Sequence, residues 1–268
     1  MIEGRAFDDP VVFFHAHPDD EAIFTGGTIA LLAGHGCRVV LVTATGGEHG
    51  ARTSSAAAKS ELAGQRAAET LRAAALLGLA RVEFLGYRDS GMLGDPGNTA
   101  PGAFWSADQS VASDHLSGIL REERAGTLVV YDQVGIYGHP DHVQAHRVGV
   151  KAAEKAGVDC VYEVTVDREY LHFVETHLVV EAGVPGALGV PPDQLGLAGS
   201  SLGVPTVEVT TTVDVRPVLG VKRAAMAAHA SQIPETASAM RLPTEAFGAV
   251  YGFEWFVRRG RPGPLDHL

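Results

Sequence analysis

Short apolar runs rich in β-branched residues alternate along this 268-residue chain with longer segments of helical period, and this alternation constrains the fold most. Val11–Phe14, Arg38–Thr43, Val82–Leu85, Thr127–Tyr131 and Cys160–Val166 read as strands. Between them, Thr25–Ala33, Ser60–Leu77, Val111–Glu123 and His142–Ala156 repeat apolar residues at three- and four-residue spacing, as helices do. Strand–helix alternation predicts an α/β fold with a mostly parallel sheet covered by helices on both faces. In such a sheet, ligands bind beyond the carboxyl ends of the strands. Further on, Glu208–Val213 and Gly252–Val257 read as strands and Arg216–His229 as a helix. The tail Arg258–Leu268 is expected to fray. A single domain over residues 1–268 is expected, with the Gly- and Pro-rich stretch 183–205 as a lid or substrate loop.

Net charge of −11 argues against a nucleic-acid footprint or attraction to anionic lipid, and no apolar run approaches the roughly 20 residues needed to span a bilayer. The N-terminus carries no recognisable signal peptide, so a cytoplasmic location is expected. Cys37 and Cys160, the two cysteines, lie far apart in apolar surroundings and read as buried free thiols.

Two clusters carry the chemistry. His15-Ala16-His17-Pro18-Asp19-Asp20-Glu21 follows the first strand, and Tyr137-Gly138-His139-Pro140-Asp141-His142 follows Thr127–Tyr131. Imidazoles and carboxylates crowded at a strand end are costly unless a cation shares the site. His17 and Asp20 are three apart, so a turn entering a helix points both the same way. His142 is the best candidate for a third ligand, completing a two-His, one-carboxylate set with one position left for water. Asp19 then remains as a general base, and His139 as a donor to an oxyanion or a leaving amine. His15, still within the strand, reads as a supporting core histidine.

Three other readings compete. His17 and Asp20 alone fit a helix cap, but two such clusters in one α/β chain make that reading weak. A dinucleotide site needs glycines in the first strand–helix turn; here Asp19, Asp20 and Glu21 would repel a phosphate. A non-enzymatic metal-binding module has no use for the spare carboxylate of Asp19.

Ala16-His17-Pro18-Asp19-Asp20-Glu21 with Gly138-His139-Pro140-Asp141-His142 resembles the LmbE-like, or PIG-L, N-deacetylase family. The Arg66-Ala67-Ala68-Glu69 segment, the Arg88-Asp89-Ser90-Gly91-Met92 loop, His229-Ala230-Ser231-Gln232 and Glu254-Trp255-Phe256 extend the likeness. It is nearest to the actinobacterial branch containing the mycothiol-pathway deacetylase and the mycothiol-conjugate amidase. The resemblance implies a Rossmann-like fold and a zinc enzyme, with iron as the other metal, that removes an N-acetyl or related acyl group from an amino sugar, sugar conjugate or natural product. It implies His17, Asp20 and His142 as metal ligands and Asp19 as base. His139 would be a cationic oxyanion partner tuned by Asp141, and Tyr137 would contact the reacting carbonyl. Glu48, Arg66 and Asp89 would bind substrate. The partner implied is a small N-acylated molecule, with a homo-oligomer also expected. One departure matters: after Glu48-His49-Gly50 this chain has Ala51 and Arg52 where the mycothiol enzymes carry an acidic residue, and Ile23-Phe24 replace more polar residues. An apolar substrate portion is expected from both changes.

Overall fold

The computed structural model describes residues 7–49, 56–174, 202–235 and 237–268. Its elements run β1 (Val11–His15), α1 (Asp20–Phe24), α2 (Gly26–Gly34), β2 (Val39–Thr45), α3 (Ala56–Leu77), β3 (Arg81–Tyr87), α4 (Gln109–Glu123), β4 (Thr127–Tyr131) and α5 (Gly135–Gly138). They continue with α6 (Pro140–Ala156), β5 (Cys160–Thr165), α7 (Arg168–Val174), β6 (Thr211–Asp214), α8 (Leu219–Ala228), α9 (Ser238–Arg241), α10 (Thr244–Tyr251) and β7 (Phe253–Gly260).

All seven strands join one sheet in the order β3-β2-β1-β4-β5-β7-β6. The first five are parallel, and β7 pairs antiparallel with both β5 and β6. Every residue of β1, β2 and β4 is buried, which explains their unbroken apolar runs: a parallel strand with helices on both faces has no polar side. Edge strand β3 is half-buried and carries Arg81, whose guanidinium pairs with Glu83, Glu122 and Glu123. Such charges blunt an edge against further pairing. α4 and α6 pack together as one helical layer, with α2, α3 and α8 as the other. α6 comes so close to β4 that a Cβ on Gly149 would lie 2.3 Å from Val130 Cγ1, so that position admits no side chain.

Three expectations need correction. Residues 206–208 form a 3-10 turn, and the strand there is confined to β6; Arg216–Val218 is likewise a 3-10 turn ahead of α8. The tail is not frayed. β7 runs on to Gly260, Leu265 is buried, and Asp266 accepts from Tyr162 Oη (2.8 Å), Thr211 Oγ1 (2.7 Å) and Arg258 Nη1 (2.7 Å). Cys37 and Cys160 are buried free thiols, as expected. Most of the stretch 183–205, and Ala51 and Arg52, lie outside the described residues. Among the described residues no helix is long and apolar enough to cross a membrane.

The strand order reverses between β1 and β4, which are neighbours although their last residues, His15 and Tyr131, are 116 positions apart. This is the crevice where ligands bind in open parallel sheets. Both histidine clusters leave the sheet there.

Candidate active site

Past the end of β1 the chain turns sharply into α1. Asp19, at the N-cap, has φ 97°, a left-handed conformation that a residue with a Cβ rarely adopts. Asp20 returns toward the turn: its Oδ2 accepts from the His17 backbone N–H (2.9 Å) and lies 3.3 Å from His17 Nδ1. The same oxygen accepts from Tyr131 Oη (2.6 Å), at the last residue of β4. His15 bridges Tyr131 Oη (3.1 Å) and Thr25 Oγ1 (2.8 Å), and burial pushes its pKa down to about 4, so it is a neutral support.

The second cluster enters α6 with Pro140 at its first turn, where a missing N–H costs nothing. His139 is the N-cap; its Nδ1 accepts from the Asp141 backbone N–H (3.1 Å). The ring proton is therefore on Nε2. Burial, with His17 and His142 beside it, pushes its pKa down to about 2. His139 thus offers an Nε2–H donor. Asp141 touches it only through its backbone: its carboxylate turns to His17 Nε2 (3.3 Å) and the Ser90 N–H (2.9 Å).

The two clusters converge. Ring centroids of His17, His139 and His142 are 4.6, 5.3 and 5.0 Å apart, and one nitrogen from each lies within 4.8 Å of the others. His17, Asp89 and Asp141 form a second such group. His142 Nε2 is 3.4 Å from Asp20 Oδ2. Although its burial opposes this, the carboxylates of Asp89, Asp141 and Asp20 hold the His17 pKa well above the ordinary imidazole value. The decisive observation on metal fit is His142: it is fully buried, and neither ring nitrogen has a hydrogen-bond partner. Buried polar atoms are rarely left so. Imidazoles and carboxylates converging around ring nitrogens that no hydrogen bond uses are the donor set of a first-row transition metal.

A cavity of about 470 Å³ opens over this cluster, lined by His17, Asp19, Asp20, Arg66, Asp89, Tyr137 and His139 on its polar side. Ile23, Phe24, Val250, Phe253 and Trp255 line it too. Asp19, its side chain 17% exposed, pairs with Arg66 Nη2 (3.3 Å). Burial raises the Asp19 pKa to about 7, with Arg66 opposing. Glu48 is not among the lining residues; its carboxylate accepts from the Asp89 N–H (3.0 Å) and so holds the Asp89 loop.

Arg66 is locked by its contact with the Gly47 carbonyl. Gly47 has φ 66°, and a Cβ there would meet Arg66 Nη1 at 1.6 Å. Gly47→Ala is therefore expected to cost more than about 1 kcal/mol from the positive φ. It should also push Arg66 off Asp19. Thermal unfolding and acetate release measured together check both effects, and a variant with wild-type Tm and rate would contradict this account.

Residues 12–153 match the family model PIG-L, GlcNAc-PI de-N-acetylase. The 1D-myo-inositol 2-acetamido-2-deoxy-alpha-D-glucopyranoside deacetylase of Acidothermus cellulolyticus is 39% identical, the match covering 92% of this chain and 87% of that one. The enzyme of the same name from Thermobispora bispora is 38% identical over 96% of this chain and 90% of its own.

The chain belongs to the PIG-L family.

It is accordingly an amide hydrolase of the deacetylase class, and the two motifs above are where the PIG-L likeness and the cavity coincide. Among solved structures, N,N'-diacetylchitobiose deacetylase from Pyrococcus horikoshii superposes with a TM-score of 0.60 at 24% identity, covering 97% of this chain and 88% of that one. GalB, the 4-carboxy-2-hydroxymuconate hydratase of Pseudomonas putida, reaches 0.61 at 18% identity, covering 95% and 97%. A deacetylase and a hydratase share this fold, so the fold alone does not set the reaction.

Residues to which the sequence reading gives no chemical role also build the site. Tyr131 reads as the end of a core strand, yet it ties Asp20 to His15. Lys222 and Glu254 form a buried ion pair (2.7 Å) at the cavity wall. Glu254 also accepts from the Gly27 and Thr28 amides (2.8 Å each), filling the α2 N-terminus.

Proposed function

We propose that this chain is a zinc-dependent N-deacetylase that hydrolyses the acetamide of a 2-acetamido-2-deoxyglucoside to acetate and a free amine. The observation carrying this reading is His142, buried with no hydrogen bond to either ring nitrogen and its Nε2 turned to Asp20, with the Asp19 carboxylate facing the cavity. His17, Asp20 and His142 would hold the ion. Bound zinc supplies an electrophile and lowers the pKa of water to near neutrality. Asp19 takes the proton of the attacking water and passes it to the amide nitrogen as the C–N bond breaks, and Arg66 keeps that carboxylate aimed into the cavity. His139, with its proton on Nε2, and Tyr137 donate to the carbonyl oxygen as negative charge develops on it. Asp141 fixes the His139 tautomer through its backbone amide. Arg66 and Asp89 meet the sugar, and Glu48 holds the Asp89 loop in place.

The sugar headgroup is supported by the names of the relatives. Beyond it, Phe24, Val250, Phe253 and Trp255 at the cavity wall favour an apolar substituent over a polyol such as inositol. Acetate release should be lost on chelation and restored by zinc, with iron(II) as the comparison. An aryl or alkyl 2-acetamido-2-deoxyglucoside should exceed N-acetylglucosaminyl-inositol in kcat/KM by about tenfold or more, as apolar contacts of this size give. Equal or faster turnover of the inositol conjugate would overturn the apolar preference and leave the deacetylase reading standing. No acetate from any of these glycosides would overturn the substrate assignment itself.

A further inference from the structure

The last acid of the first motif, Glu21, and the histidine that closes α8, His229, are both completely buried, and neither lines the cavity. They are 208 residues apart in sequence, yet Glu21 Oε1 lies 2.5 Å from His229 Nε2. The other oxygen, Oε2, accepts from the Asp19 backbone N–H (3.0 Å). Asp19 is the residue held at φ 97°. Strain of this kind persists only where surrounding contacts impose it. Glu21 supplies one such contact, and the Ala22 and Ile23 amides, both bonding to the Asp19 carbonyl (3.1 Å), supply others.

His229 is itself fixed. Its N–H bonds to the Met226 carbonyl, and its own carbonyl accepts from Gln232 and Ile233. The turn after it is tied to α3: Glu69 accepts from the Ser231 N–H (3.0 Å) and from Ser231 Oγ (2.6 Å). Arg66, one turn before Glu69 on α3, grips the Asp19 carboxylate. One helix therefore sets both ends of Asp19, its carboxylate through Arg66 and its backbone through the chain Glu69, Ser231, His229 and Glu21. With the His229 proton on Nε2, Glu21 accepts from both N–H groups it meets, one at each oxygen; glutamine offers a single oxygen.

We propose that Glu21 and His229 are positioning residues that hold Asp19 in its left-handed conformation, so that its carboxylate faces the reacting water. This rests on the reading of Asp19 as the base. Without the grip, the turn relaxes toward right-handed backbone and the carboxylate swings from its aim, while the ligand side chains keep their own contacts.

The test is a double-mutant cycle on the zinc-loaded enzyme. Glu21→Gln and His229→Leu should each lower kcat about 10- to 100-fold, as small misplacements of a reacting group do, with KM and zinc content near wild type. His229→Gln, which keeps an N–H donor, should retain most of the activity. In the Asp19→Asn background, Glu21→Gln should lower kcat no further, because there is no base left to aim. An equal loss in both backgrounds would make the role a general structural one and overturn the proposal. Wild-type kcat in both Glu21→Gln and His229→Leu would overturn it too. If Glu21→Gln does not fold, His229→Leu and His229→Gln carry the same cycle. Should Asp19→Asn alone leave kcat intact, the base reading fails first and takes this proposal with it.

Discussion

His142→Ala is expected to abolish metal binding and, with it, acetate release. Both of its ring nitrogens are buried without a hydrogen-bond partner, and Nε2 meets only the Asp20 carboxylate, the other proposed ligand, at 3.4 Å. Changing a group that merely supports a ligand costs 10- to 100-fold in metal affinity, so removing a ligand should cost more than about 100-fold. Metal per chain after dialysis, measured beside activity, checks this. The control is His139→Ala. Its Nδ1 is used by the Asp141 amide, and in the proposed mechanism its Nε2 proton serves the carbonyl oxygen. That variant should keep its metal and lose rate. The geometry admits a rival, since His17, His139 and His142 also bring three nitrogens within 4.8 Å. Loss of metal in His139→Ala would replace Asp20 by His139 in the ligand set. Retention of metal in His142→Ala would remove the proposed site altogether.

Much of this site was legible because each cluster directly follows a buried strand. The apolar runs Val11–Phe14 and Thr127–Tyr131 mark β1 and β4, and parallel order makes their carboxyl ends a shared crevice. The side-chain directions were not legible. Asp141 sends its carboxylate to His17 rather than to the neighbouring His139, and Glu48 turns to a backbone amide rather than to the cavity. Glu48 leaves a turn that runs through Gly47 at φ 66°, and Asp141 takes partners from two other elements, neither of which hydrophobic periodicity reports. Tyr131 looks apolar in a strand pattern because only its hydroxyl does the polar work. The tail misled for a similar reason: Pro262 and Pro264 read as punctuation, but Asp266 is clasped by partners from β5, β6 and β7, and no local pattern announces them.

Asp19→Asn should lower kcat by about 10²- to 10⁴-fold, the range for loss of a general base. Asparagine has nearly the same shape and is the better choice over alanine, because it tolerates the left-handed backbone that φ 97° demands. It keeps an oxygen for Arg66 but cannot take the proton. KM and bound metal should stay near wild type, since Asp19 is not among the proposed ligands. A purely structural role predicts another outcome. Asp19 pairs with Arg66, a buried guanidinium, and if that pair only stabilised the fold the substitution would lower Tm and leave kcat per folded enzyme almost unchanged. Measuring kcat, metal content and Tm on the same preparation separates the two. A lost metal would instead place Asp19 among the ligands and leave the proton from the attacking water without its proposed acceptor.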